Sequence, residues 1–137
     1  TYDKETQTFR YDVCYDEVID DNLASYIMGA VEKYAIYLQD DAVFTSVAPY
    51  LDPESVLYEN VRLVDTWCVV THDSWAFDDE TLTEYCTYGN GEVISCRVSL
   101  THILKMAYHD DYKDYIDLTL YLRKVGDNYL IYDMSHN

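Results

Sequence analysis

An alternation of side chains between residues 115 and 123 constrains the fold of this chain more than any other feature. The apolar positions are Ile116, Leu118, Leu120 and Leu122, and the intervening ones are Tyr115, Asp117, Thr119, Tyr121 and Arg123. A period of two over nine residues is typical of a strand with one buried face. Residues 125–128, Val-Gly-Asp-Asn, then predict a tight turn, and residues 129–132 predict a strand that runs back.

The first half of the chain has helical periodicity. Apolar residues recur every three or four positions after the capping sequence Asp20-Asp21-Asn22, which predicts a helix over 22–39. Residues 41–47 predict a short helical turn that ends near Pro49. Asp52-Pro53-Glu54 predicts a second helix over 53–65, with Asp52 as the cap and Pro53 in the first helical position.

The periodicity changes near residue 80, and strands are predicted over 82–88 and 92–107, ahead of the two strands described above. Residues 72–80 are predicted to form a loop that tucks Trp75 and Phe77 down. The fold class is therefore α+β, with N-terminal helices packed on a four-stranded antiparallel sheet. Residues 1–21 are expected to form an arm or a short strand, and residues 22–137 a single domain.

Composition restricts the partners. The chain has 26 acidic and 9 basic residues, a net charge of −17, and such a field repels nucleic acid. No run of about 18 apolar residues exists, so no membrane span is expected. An unknown protein or a neutral small molecule remains as the partner. Because the chain starts at Thr1 without Met, we interpret it as part of a longer or processed protein.

Four cysteines show no metal-binding spacing: Cys14, Cys68, Cys86 and Cys96. Cys86 and Cys96 flank the turn sequence Tyr88-Gly89-Asn90-Gly91-Glu92. Two interpretations stand: a disulfide between adjacent strands, or two small buried apolar residues.

Two segments resemble the nuclear-transport-factor-2-like superfamily. Residues 120–134 match its terminal strand, Gly/Asp turn and aromatic–x–Ile–x–Asp strand through Tyr129, Ile131 and Asp133. Residues 48–58 resemble the junction between two helices in small extracytoplasmic members of bacterial envelope proteins. The resemblance implies a curved, cystatin-like sheet wrapped around a helix, with a conical pocket. The residues expected to line that pocket are Tyr26, Tyr34, Trp67, His102, Leu118 and Leu120.

Few residues are suited to chemistry in such a pocket. His102, Asp117, Tyr121 and Asp133 are the proton-transfer candidates, and His102 is the weak candidate for a catalytic residue. If the leucines of residues 116–122 face the helices, Asp117 and Arg123 lie on the opposite face as surface charges of little weight. The acidic clusters at residues 78–80 and 110–117 lack the EF-hand pattern, so no metal or other cofactor is predicted.

Two functions remain from the sequence. The first is a non-catalytic binding or assembly domain of a bacterial cell-surface or envelope protein, and any homodimer is expected to form through the outer face of the sheet. The second is a small-molecule enzyme of isomerase, dehydratase or cyclase type that uses the conical pocket. An enzyme needs a deep pocket with convergent polar groups, whereas a binding module needs an exposed surface.

Overall fold

The computed structural model describes residues 18–137. The predicted N-terminal arm or strand lies almost entirely outside these residues. Among the described residues, no helix has both the length and the apolar character needed to cross a membrane.

Helix α1 comprises Asp21–Leu38 and matches the predicted helix to within one residue at each end. The Asp20 carboxylate accepts hydrogen bonds from the backbone N–H groups of Asn22, at 3.0 Å, and Leu23, at 3.2 Å. These bonds satisfy donors that the first turn of a helix leaves unpaired. Spacing of three and four residues places the buried side chains on one side of α1: Ile27, Ala30, Val31, Tyr34, Ala35 and Tyr37.

The connection after α1 contains two short 3₁₀ turns, Phe44–Ser46 and Ala48–Tyr50. The predicted start of this helical turn at residue 41 is wrong, because the first turn begins at Phe44, whereas its predicted end near Pro49 is confirmed. Pro49 lies within the second turn, which ends at Tyr50. A first-turn position suits proline, since its missing N–H has no partner there.

Helix α2 comprises Val56–Leu63, so the predicted start at Pro53 is also wrong. The capping residue is Ser55, whose hydroxyl accepts from the Tyr58 backbone N–H at 3.1 Å and donates to the Asp52 carbonyl oxygen at 2.7 Å. Asp52 does not cap this helix because its carboxylate is bound elsewhere, as described below.

The sheet contains strands β1 (Ser74–Tyr88), β2 (Val93–Lys105), β3 (Tyr112–Val125) and β4 (Asn128–His136). All neighbours are antiparallel and the spatial order is β1-β2-β3-β4. The predicted α+β class, with helices ahead of an antiparallel meander, is confirmed.

Strand β1 starts within residues 72–80, where a loop was predicted. Its pairing with β2 shifts between Asp78 and Thr81 and again between Thr83 and Cys86. Asp79 and Glu84 have positive φ angles of 53° and 55° at these two bulges. Each extra residue reverses the alternation of faces, so period two does not run through the whole strand, and only its second half, from residue 82, was predicted.

The face of the sheet that packs on α1, here called the inner face, carries the leucines of β3. Leu118, Leu120 and Leu122 are fully buried in one apolar cluster with Ile27 and Val31 of α1. The predicted orientation of β3 is therefore confirmed. Burial of each leucine side chain stabilises the fold by about 2 kcal/mol. On the outer face, the side chains of Asp117, Thr119, Tyr121 and Arg123 are half-buried.

The cysteines of β1 and β2 do not bond to each other. Cys86 is disulfide-bonded, whereas Cys68 and Cys96 are free. Cys86 lies opposite Ser95 on β2, one position away from Cys96, so the two cysteine side chains are on opposite faces of the sheet. Cys96 instead packs in the core, as the second interpretation of these cysteines expected.

Candidate functional site: a groove between the second helix and the last strand

An open groove of about 600 Å³ separates α2 from the end of β4. We call it the α2–β4 groove. Helix α2 contributes Val56, Leu57 and Asn60, and β4 contributes Tyr132, Asp133 and Met134. The remaining lining residues are Asp52, Glu54, Ser55, Val93 and Arg123.

The segment before α2 is attached to β4 by its backbone. Leu51 forms an isolated parallel bridge with Ile131, and the Asp52 N–H donates to the Ile131 carbonyl oxygen at 2.8 Å. The Glu54 N–H then bonds to the Asp52 carboxylate at 3.0 Å and turns the chain towards α2. These bonds fix the position of α2 relative to the edge of the sheet.

An ion pair crosses the end of the groove. The Asp52 carboxylate is 4% exposed and receives two bonds from Arg123, one from Nε and one from Nη2, the latter at 3.1 Å. The hydrogen bond from Arg123 holds the pKa of Asp52 below its usual value, against the effect of burial. The prediction that Arg123 is a surface charge of little weight is therefore wrong, because its partner is a buried carboxylate.

The β4 side of the groove contains a bulge. Tyr121 pairs with Asp133 and Leu122 pairs with Ile131, so Tyr132 is an extra residue in β4. Its ring lies 6.4 Å from that of Tyr121 on the outer face. Two residues after Tyr132, the backbone N–H of Met134 donates to the Asp133 carboxylate at 2.9 Å. The Met134 N–H is thus bonded to a side chain. If another strand paired with β4 here, one of its carbonyl oxygens would accept this N–H instead.

The groove is acidic and partly apolar. Its lining has three carboxylates, Asp52, Glu54 and Asp133, against one guanidinium, Arg123. Because Arg123 is bound to Asp52, the charges left to meet a ligand are those of Glu54 and Asp133. Val56 is 77% exposed at the start of α2, which is unusual for a residue of its size and leaves an apolar surface beside these charges.

His102, the weak catalytic candidate, lies away from this groove. It is fully buried on β2, opposite Phe77 of β1 and Asp114 of β3. Its ring stacks on Phe77 at 4.9 Å, and neither of its nitrogens has a hydrogen-bond partner among the described residues. Burial lowers the pKa of His102, although Asp114 and Asp41 oppose that effect. Burial of the ring thus favours its neutral form.

The other predicted pocket residues lie in several places. Tyr34 and Leu118 line an internal cavity of about 10 Å³, roughly the space of one water molecule. Tyr26 lines a second surface groove, where its hydroxyl donates to the Tyr129 carbonyl oxygen at 2.7 Å. Leu120 is fully buried, and Trp67 is 65% exposed between α2 and β1.

The remaining polar candidates are on the surface. Arg97 binds the Asp117 carboxylate through Nε and Nη2, at 2.9 and 2.6 Å, and this pairing lowers the pKa of Asp117 to about 2. In the turn before β3, Asp111 lies 3.7 Å from the ammonium nitrogen of Lys105. Within residues 18–137, no group of three or more His, Cys, Asp or Glu side chains has the geometry to hold a metal ion.

Sequence reasoning did not identify Asp52 or the α2 residues as parts of a site. Asp52 fits a helix-capping pattern, and that pattern hides its pairing with Arg123, 71 positions away. The available signal was Val56, because an apolar residue directly after a capping sequence belongs to no buried helical face. Comparisons with protein-family models, with curated proteins and with solved structures give no significant match to this chain.

Proposed function

We propose that this chain is a non-catalytic binding domain that holds an extended, positively charged segment of another protein in the α2–β4 groove. The observation that carries the proposal is the combination of carboxylates not bound by Arg123 and exposed apolar surface along one open groove. Grooves that recognise peptides combine apolar contacts with a few well-placed polar groups.

The chemistry of the lining defines the ligand. Lys or Arg side chains of a partner would meet Glu54 and Asp133, and an apolar side chain between them would cover Val56 and Leu57. An anionic ligand would meet those carboxylates and the net charge of −17 of the chain. A basic segment is therefore favoured.

The edge of β4 supports an extended conformation of the ligand. Leu51 already forms a strand-like contact with Ile131 at this edge. A peptide that continues this line would meet the Met134 N–H, now bound to the Asp133 carboxylate. Backbone bonding to a strand edge gives affinity without sequence specificity, and the lining side chains then select the charge.

The proposed setting is the cell surface or envelope of a bacterium, as part of a nuclear-transport-factor-2-like domain. Two helices ahead of a four-stranded antiparallel meander support that fold assignment. The disulfide at Cys86 supports an extracytoplasmic location, because disulfides persist in oxidising compartments. The enzyme alternative receives less support, since the cavity between α1 and the sheet holds about 10 Å³.

The test is binding of labelled peptides measured by fluorescence anisotropy. A peptide that alternates Lys with Val or Leu should bind, and the same peptide with Glu in place of Lys should not. Raising the salt concentration should weaken binding, because exposed charges are screened. Equal binding of both peptides contradicts the proposal.

Paired variants separate the groove from the overall charge. Glu54→Gln with Asp133→Asn removes two charges from the groove, and Asp110→Asn with Asp111→Asn removes two exposed charges from the turn before β3. The first pair should weaken binding several-fold, and the second should leave it nearly unchanged. Equal weakening by both pairs would show that the partner responds to total charge and not to the groove.

A further inference from the structure

Three side chains from two segments form a chain of contacts outside the α2–β4 groove. Cys68 and His72 lie in the connection between α2 and β1, and Asp41 follows α1. The Cys68 sulfur lies 3.3 Å from His72 Nδ1, and His72 Nε2 lies 2.6 Å from the Asp41 carboxylate. Thiol, imidazole and carboxylate in this order are the groups that activate a nucleophilic cysteine.

The contacts of His72 define its protonation. Nδ1 lies 2.7 Å from the Val70 carbonyl oxygen, and Nε2 faces the Asp41 carboxylate. Both neighbours are acceptors, so these two contacts favour a proton on each ring nitrogen. The Val70 carbonyl and then the Asp41 carboxylate raise the pKa of His72, against the effect of burial. The fold therefore favours the positively charged form of the imidazole that lies beside the Cys68 sulfur.

The thiol is accessible while its activating groups are sheltered. Cys68 is exposed, whereas the side chains of His72 and Asp41 are only 2% and 23% exposed. The thiol donates to the same Val70 carbonyl oxygen as the imidazolium. When the thiol loses its proton, the His72 Nδ1–H, now directed at Val70, is the donor nearest to the sulfur, which lies 3.3 Å from Nδ1.

The segment that carries Cys68 is anchored on both sides. The Val69 N–H donates to the Gln39 side-chain oxygen at 3.0 Å, and the Thr66 hydroxyl donates to the Asp40 carboxylate at 3.1 Å. At the start of β1, the Asp73 N–H donates to the Lys105 carbonyl oxygen at 2.8 Å. These bonds hold the thiol and imidazole at a fixed distance, which a reactive pair requires.

We propose that Cys68 is a nucleophilic thiol that exchanges with disulfides, and that it prefers disulfides carrying a positive charge. The Cys68 thiolate attacks one sulfur of a disulfide R–S–S–R. A bond forms between Cys68 and that sulfur, the S–S bond of the substrate breaks, and the second sulfur leaves as a thiolate. The proton lost by Cys68 is balanced by the proton that the leaving thiolate takes up, and one disulfide replaces another without any external oxidant.

The class of substrate follows from the surroundings. Thiol–disulfide exchange needs a thiolate and access to it, and the departing charge is carried by the leaving sulfur. The Asp41 carboxylate is paired with His72, but Asp40 and Asp73 also lie beside the site, so a cationic disulfide is attracted and an anionic one is repelled. The disulfide at Cys86 indicates that the chain occurs where such substrates exist.

The test measures the rate at which each cysteine of the native protein forms mixed disulfides, resolved by peptide mass spectrometry. The probes are cystamine, bis(2-hydroxyethyl) disulfide and 3,3′-dithiodipropionate, which are cationic, neutral and anionic. Cys68 should react in that order of decreasing rate. Cys96 should not react, because it is buried and burial raises its pKa to about 12. The reverse order of rates would overturn the proposed substrate class.

Variants test the role of the charged partners. His72→Gln keeps polar atoms near Val70 but removes the positive charge, and should slow Cys68 about 10-fold, as expected for loss of a charged hydrogen bond. Asp41 is a positioning residue, so Asp41→Asn should slow the reaction and Asp41→Glu should restore it. If the His72→Gln variant is folded and reacts at the wild-type rate, the proposal fails.

A comparison within the wild-type protein does not depend on any variant. Cys68 should react faster in the native chain than in the same chain unfolded in urea at the same pH, because only the native fold places His72 beside it. A native rate equal to or below the unfolded rate would overturn the proposal.

Discussion

Arg123 on β3 binds the buried carboxylate of Asp52, which precedes α2, and so joins the sheet to the second helix. Arg97, one strand away, binds Asp117 in a similar geometry, but both partners of that pair are a third or more exposed. The two pairs therefore form a natural comparison between a buried and an exposed carboxylate.

Arg123→Ala should destabilise the protein more than Arg97→Ala, by roughly two- to threefold in the shift of the urea denaturation midpoint. The reason is that Arg123→Ala leaves a charged carboxylate buried without its main partner, whereas exposed pairs contribute little. Equal shifts in the two variants would show that Asp52 finds water when Arg123 is removed.

The same pair makes stability depend on acid pH. Arg123 lowers the pKa of Asp52 in the folded state, so its contribution is fully present above the unfolded value of 3.8 and is lost as pH falls through the folded pKa. Urea denaturation between pH 2 and 5 should show this loss in the wild type and a smaller loss in Arg123→Met. Parallel curves of stability against pH for the two proteins would contradict this expectation.

Leu120→Ala should cost about 2–5 kcal/mol of unfolding free energy, because the side chain is fully buried and its removal leaves a cavity. Val125→Ala is the control: this residue of the same strand is 40% exposed, and its truncation should cost less than about 0.5 kcal/mol. Denaturation of both variants at pH 7 measures the difference.

His102 should make the protein less stable as pH falls. Its pKa is lowered in the folded state, so the unfolded chain binds a proton that the folded one does not, and stability declines below the ordinary value of 6.5. The uptake of one proton can change the free energy of unfolding by at most about 1.4 kcal/mol per pH unit. His72 acts in the opposite direction, because its raised pKa gives stability that is lost as pH rises through the folded value.

Comparison of His102→Leu with His72→Gln separates these effects. His102→Leu should flatten the stability curve between pH 5 and 6.5, and it sacrifices no hydrogen bond because both ring nitrogens lack partners among the described residues. His72→Gln should flatten the curve above the ordinary histidine pKa. An unchanged acid slope in His102→Leu would mean that the buried ring is not neutral.

Glu32 of α1, which lies beside Glu80 of β1, should keep its proton up to near neutral pH. Burial, followed by the hydrogen bond and the charge of Glu80, raises the pKa of Glu32 to about 7. A raised folded pKa gives stability that is present below 4.5 and lost as pH rises towards 7. Glu32→Gln should therefore be more stable than the wild type at pH 8 and differ little at pH 4. If Glu32→Gln were more stable than the wild type at pH 4 but not at pH 8, this expectation would be wrong.

The sequence predicts regular elements well and the site poorly, for a physical reason. Local periodicity specifies helix α1 and strand β3. It places apolar residues such as Ile27 and Leu120 on one face of each element, and these residues form the core. The second half of strand β1 is predicted, but its first half is missed, because the bulge at Asp79 interrupts the alternation. The Arg123–Asp52 pair and the His72–Asp41 pair join residues 71 and 31 positions apart, and no local pattern encodes either contact.

The two bulges of β1 also limit how this strand can pair with β2. Its regular pairing is divided into the runs Ser74–Asp78, Thr81–Thr83 and Cys86–Tyr88, separated by residues with positive φ. A slip of β1 along β2 by one residue would move both bulges away from the positions where the partner strand accommodates them. The backbone of β1 thus fixes the register of this pairing without relying on its side chains.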